Sequence, residues 1–101
     1  MTIQIANLDA LGFAPGGARL APVLQTDNVR ALLLSLGEGQ SVPPCQMSLT
    51  VLYLVLEGRG CLQVGDEDAE LAVGSLAIVP KDAVRSIQSE TRMRVLAIQT
   101  P

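Results

Sequence analysis

At 101 residues the chain has room for one domain with one modest core. Nearly half of it is apolar (49%) but only 2% is aromatic, so the core must be aliphatic, and two rings argue against a stacking platform for bases or sugars. A formal charge of −3, with scattered arginines and Lys81 as the only lysine, leaves no basic stripe for a nucleic-acid backbone.

The N-terminus, MTIQIANLDA, lacks the cationic start and long apolar run of a secretion signal. No stretch of about 18 apolar residues suggests a membrane span. The expectation is a cytoplasmic protein that binds neither membrane nor nucleic acid. Cys45 and Cys61 are then expected as reduced thiols, not a bridge.

Along the chain, Thr2–Ile5 is a short strand candidate, and Gly12–Gly17 (GFAPGG) is the most loop-like segment. Short strand candidates follow at Arg19–Gln25, Val29–Leu36, Val51–Glu57 and Cys61–Val64. Four more fall at Glu70–Val73, Leu76–Val79, Val84–Gln88 and Met93–Gln99. Turn chemistry separates them: Thr26-Asp27-Asn28, Gly37-Glu38-Gly39, Gly58-Arg59-Gly60, Gly65-Asp66-Glu67-Asp68 and Pro80-Lys81-Asp82. Asn28–Leu36 competes as a helix, since Arg, Ala and Leu favour one. It is short, ends on Gly37 and lies among strands, so it reads as a strand. Many short strands at even spacing predict an all-β sandwich or closed barrel in a single domain, 1–101.

Leu49–Leu56 (LTVLYLVL) is apolar on both faces of a strand. Val51, Tyr53 and Val55 point one way, and Leu52, Leu54 and Leu56 the other. If the first set lines a barrel, the second needs cover from Thr2–Ile5 and Arg19–Gln25 or from a second subunit. A homodimer is the expectation, because an exposed leucine row invites aggregation.

Two stretches share a spaced frame. Gly39 and Gly58 bracket Cys45, Met47 and Val51; Gly74 and Pro80 precede Asp82, Arg85 and Ser89. This frame resembles the two motifs of the cupins, G-x5-H-x-H-x3,4-E-x6-G and G-x5-P-x-G-x2-H-x3-N. The resemblance covers the middle half of the chain and implies an antiparallel jelly-roll, or double-stranded β-helix, barrel. It implies residues 28–101 as the barrel and residues 1–27 as strands and a loop covering it. The retained residues are those of the scaffold: glycines for tight turns and a proline that sets one.

The family's metal ligands are replaced throughout. Cys45 and Met47 stand at its two histidines, Val51 at its glutamate and Arg85 at its last histidine; the chain has no histidine at all. Val51 coordinates nothing, and a permanent cation at position 85 repels a metal ion. Two sulfur donors alone make an incomplete site even for a soft ion such as Cu(I). The expectation is a metal-free protein without a cofactor. The family's oxygenase, metal-assisted isomerase and histidine-dependent epimerase mechanisms are then lost.

If the frame holds, Cys45, Met47, Val51 and Arg85 converge inside the barrel, with Tyr53 and Val55 along one wall. Arg85 then either holds a small carboxylate or phosphate by charge-assisted bonds, or pairs internally with Asp82, Glu90 or Glu38, or extends to the barrel mouth. Cys45 near Arg85 invites a nucleophile reading, but no histidine can serve as its base, so a small half-buried packing residue is expected. Tyr53 needs a partner for its hydroxyl. The acidic run Asp66-Glu67-Asp68 with Glu70 lacks calcium-loop spacing and reads as a solvated hairpin tip. Gly58-x-Gly60 reads as a hairpin turn and not a phosphate loop.

The leading expectation is a binding protein for a small apolar or anionic metabolite. Alternatives are a metal-independent lyase or isomerase using Tyr53 or Arg85 on an oxyanion, or a structural or regulatory dimeric module with a filled pocket.

Overall fold

The computed structural model describes residues 3–13 and 19–101. Among them, a helix α1 (Leu8–Leu11) precedes nine strands. These are β1 (Arg19–Gln25), β2 (Arg30–Leu36), β3 (Ser41–Gln46), β4 (Thr50–Glu57) and β5 (Gly60–Val64). After them come β6 (Glu67–Leu71), β7 (Leu76–Val79), β8 (Val84–Ser89) and β9 (Met93–Thr100). They form a five-stranded sheet, β1-β2-β9-β4-β7, and a four-stranded sheet, β3-β8-β5-β6, antiparallel throughout.

The strands β1 and β7 coincide with the sequence expectation, and β2, β4, β5, β8 and β9 differ from it at their ends. The segment that competed as a helix is a strand over Arg30–Leu36, because both edges of β2 are paired, to β1 and β9, and Leu32–Leu36 are all buried. A helix could satisfy its own backbone but could not bury both faces between two neighbours.

Three expectations are corrected. Ile3–Ile5 form no strand, and Ile3 and Ile5 are exposed, while Thr2 lies outside the described residues, as does most of Gly12–Gly17. The strand β3, unexpected from sequence, carries Pro43 and Pro44 at a register shift between Val42 and Cys45. It is an edge strand, where prolines cost no ladder bond to a second neighbour. Only Asp66 of the acidic run lies at the hairpin tip: Val64 pairs with Glu67 across a Gly65-Asp66 turn, and Glu67, Asp68 and Glu70 are exposed residues of β6. The strand β6 is also an edge, and charges there discourage pairing with a further chain.

Alternation builds the core. Leu32, Leu34 and Leu36 of β2, Val51, Tyr53 and Val55 of β4, and Met93, Val95 and Ala97 of β9 meet Leu62, Leu71, Val79 and Ile87. Each buried aliphatic side chain contributes about 1.5–3 kcal/mol. No ring other than Tyr53 belongs to this cluster.

The opposite face of the larger sheet is incompletely covered. Register places Leu52 between Ile98 and Ile78, and Leu54 between Leu96 and Leu76. Leu96 is buried, Leu52 and Leu54 are half-buried, and Leu76 and Ile78 are both 67% exposed. The strand β1 does not cover this row; it extends the sheet in plane by pairing with β2. The N-terminal stretch touches the face elsewhere, with Gln4 donating to the Gln25 carbonyl at 2.9 Å and Arg94 donating to the Leu8 carbonyl at 3.2 Å.

One ion-pair network joins β4 to β9 and the turn before it. Glu57 accepts from Arg92 Nε at 2.7 Å and Arg94 Nε at 3.0 Å. The Arg92 bond, aided by Arg94 against partial desolvation, holds the Glu57 carboxyl below the usual carboxylate range. No helix among the described residues is long and apolar enough to cross a membrane.

Candidate functional site

The five residues singled out from sequence, Cys45, Met47, Val51, Tyr53 and Arg85, line one cavity between the two sheets. Its volume is about 80 Å³. Apolar lining comes also from Leu20, Leu34, Val42, Ile87 and Ala97, and polar lining from Ser86 and Gln99.

Local sequence explains each placement. Inward alternation along β4 brings Val51 and Tyr53 into the wall, 1% and 7% exposed. On the facing sheet, Arg85, Ile87 and Ser89 take the inward positions of β8, and Cys45 sits opposite Arg85 in register. Cys45 is exposed, so it stands at the rim of the cavity. Met47 lies just beyond β3, where its carbonyl accepts from Asp82 N at 2.7 Å and Gln46 Nε2 donates to the Asp82 carbonyl at 2.8 Å. Asp82 takes φ +69°, the left-handed conformation that the family frame assigns to glycine. Ser89, at the frame's asparagine, donates to the Gly37 and Gln40 carbonyls and ties β8 to the turn before β3.

Arg85 is the singular feature. Its side chain is 1% exposed. Nε donates to the Ala83 carbonyl at 3.1 Å, and Nη1 donates to the Tyr53 hydroxyl at 3.4 Å. Nη2 has no partner among the described residues. All ten carboxylate side chains lie within those residues, and none pairs with Arg85. Internal pairing with Asp82, Glu90 or Glu38 is therefore corrected: Glu90 pairs with Arg59 at 3.1 Å instead. Arg85 also does not extend to solvent. A guanidinium keeps its charge in any protein setting, and a buried charge is costly without a counter-charge.

Gln99 escaped the sequence reading. It continues the inward alternation Met93, Val95, Ala97 along β9 and is 7% exposed, a polar side chain in a core phase. That phase was the available signal. Its Nε2 donates to Met47 Sδ at 3.9 Å, and its Oε1 has no partner among the described residues.

The residues at the family's ligand positions do not fit a metal ion. Among the described residues no three of His, Cys, Asp and Glu converge. The cavity instead presents a fixed cation, a thioether and a valine, and the orphaned Nη2 is a donor, where a metal needs acceptors. No step of metal chemistry follows from this donor set.

The sequence matches no described protein family and no curated protein. Solved structures match it closely in shape. A protein of Thermus thermophilus is 27% identical, with TM-score 0.89 over 98% of both chains. A cupin superfamily protein of Desulfitobacterium hafniense is 24% identical, with TM-score 0.85 over 99% of this chain and 93% of that one. An RmlC-like cupin protein of Desulfovibrio desulfuricans is 21% identical, with TM-score 0.83 over 100% of this chain and 98% of that one. Two facing antiparallel sheets with these neighbours define a double-stranded β-helix barrel. The chain has the fold of small cupin-type proteins.

Proposed function

We propose that this is a metal-free binding protein for a small organic anion, held in the barrel cavity by Arg85. One observation carries the reading: a guanidinium 1% exposed, lacking any carboxylate partner and with an unpaired N–H, belongs to a residue that lines the cavity. A bound carboxylate supplies the missing counter-charge through a short charge-assisted bond. Met47 and Val51 give its carbon skeleton an apolar wall, Tyr53 holds the guanidinium in place, and Cys45 borders the entrance. The cavity supports binding over a filled pocket. Catalysis has less support, because no acid–base pair accompanies Arg85 and Tyr53. Isothermal titration and thermal unfolding with propionate test the reading. Propionate at 100 times its dissociation constant stabilises the wild type by about 2.7 kcal/mol and leaves Arg85→Met unchanged. Equal behaviour of the two proteins, or no binding by either, sinks the reading.

We further infer that the protein is a homodimer built on the Leu52–Leu54–Leu76–Ile78 row. Leu76 and Ile78 are two-thirds exposed on β7, the last strand of its sheet. An uncharged, self-matching patch suits a second copy under two-fold symmetry, since identical apolar surfaces meet without like-charge repulsion. Light scattering is expected to give twice the 10.6 kDa chain mass for the wild type and a monomer for Ile78→Lys. A monomeric wild type at micromolar concentration rejects the interface.

A further inference from the structure

Two residues that line the same cavity from opposite sheets each carry an unpaired polar atom, and the two atoms are of opposite kind. Arg85 Nη2, from β8, is a donor; Gln99 Oε1, from β9, is an acceptor. Both are buried away from water, so each loses the hydration it would have in the unfolded chain. An anion on Arg85 satisfies only one of them. We infer that the ligand is a short-chain hydroxycarboxylate, its carboxylate on Arg85 and its hydroxyl donating to Gln99 Oε1. This inference rests on the anion-binding reading and narrows it to one substrate class.

Three further features agree. Tyr53 accepts from Arg85 Nη1 at 3.4 Å, which leaves its own O–H available to the second carboxylate oxygen. Gln99 donates its Nε2–H to Met47 Sδ at 3.9 Å, which leaves the carbonyl oxygen as the unpaired end of the amide. Val51, opposite Gln99 in register, and Ala97, opposite Tyr53, add an apolar wall for the ligand's carbon atoms. The volume sets the size. About 80 Å³ is between two and three times the share of one liquid water, roughly 30 Å³. That restricts the enclosed part of the ligand to a few heavy atoms, with the rest leaving past Cys45 at the rim.

The discrimination expected is large, because a site that hydrogen-bonds a hydroxyl rejects the analogue that leaves its acceptor unpaired. Racemic lactate and propionate differ by one hydroxyl, and pyruvate replaces it with an acceptor. Titration calorimetry on the full-length protein is expected to show lactate binding about tenfold more tightly than propionate, with pyruvate weaker than lactate. In Gln99→Leu, lactate and propionate bind alike, and binding still depends on Arg85. Propionate and lactate binding equally to the wild type, or pyruvate binding more tightly than lactate, overturns the hydroxycarboxylate assignment while the anion site stands. A Gln99→Leu protein that keeps the lactate preference overturns it too. Failure of the wild type to bind any of the three removes the anion reading itself, so the two failures are distinct.

Discussion

Arg85→Met is expected to raise the stability of the unliganded protein, although it alters one of the most buried side chains in the chain. Substitutions at such positions ordinarily cost several kcal/mol. Here the native residue is a charge without a counter-charge, and replacing buried charges with packed apolar groups gains about 1–4 kcal/mol where it has been tried. Against this stand the bonds to the Ala83 carbonyl and the Tyr53 hydroxyl, each worth about 1 kcal/mol. The balance runs from a loss of about 1 kcal/mol to a gain of about 2 kcal/mol, centred on a small gain. For a domain of this length the upper end is a rise of roughly 8–16 °C in Tm, read by calorimetry on ligand-free protein. The same variant loses anion binding, so stability and binding move in opposite directions. That opposition is the signature of a charge retained for a ligand and not for the fold. A loss of about 3 kcal/mol or more would mean that an internal counter-ion holds Arg85 after all.

Gly58→Ala is expected to be the most damaging single methyl in the barrel. Gly58 adopts φ +81°, and a Cβ there runs into the Arg92 carbonyl oxygen, 2.8 Å from Thr91 Oγ1 and 2.9 Å from the Arg92 carbonyl carbon. The left-handed conformation alone costs a non-glycine residue about 1–2 kcal/mol. The clash adds to it, because backbone atoms cannot swing aside as a side chain does. A total of about 3 kcal/mol or more corresponds to a fall of at least roughly 12 °C in Tm. Gly65→Ala separates the two causes: Gly65 has φ +58° but nothing within 4 Å of an added methyl. It is expected to cost only the conformational part, about 1–2 kcal/mol, in a urea titration of both variants. Equal losses at the two positions would show that crowding at Gly58 is relieved by movement of the Thr91–Arg92 turn. The position matters for the site because Gly58 links β4, which carries Tyr53, to β5, which pairs with the strand carrying Arg85.

Much of this arrangement is legible in the order of residues alone. Strand alternation is a local property, so the inward phase of Val51, Tyr53 and Val55 follows from their spacing. The resemblance of the glycine and proline frame to the cupin motifs implied that Cys45, Met47, Val51 and Arg85 converge inside the barrel, and they line one cavity. The absence of histidine excluded the family's usual ligand set from composition. Other features depended on what lies across the barrel. The Pro43-Pro44 pair reads as a strand breaker until β3 is seen to be an edge, where the missing N–H groups have no second neighbour to serve. The acids Glu67 and Asp68 read as a turn until β6 proves to be the other edge of the same sheet. Whether Arg85 has a counter-ion turns on distances between residues remote in sequence: Glu90 turns to Arg59, and Asp82 is fixed in its turn by backbone bonds to Met47 and Gln46. The pairing of orphans, Nη2 from one sheet and Gln99 Oε1 from the other, is of the same kind. Period and turn chemistry act along the chain and set which way each residue faces. Charge compensation acts through space, and only the packed barrel decides which polar atoms are left for a ligand.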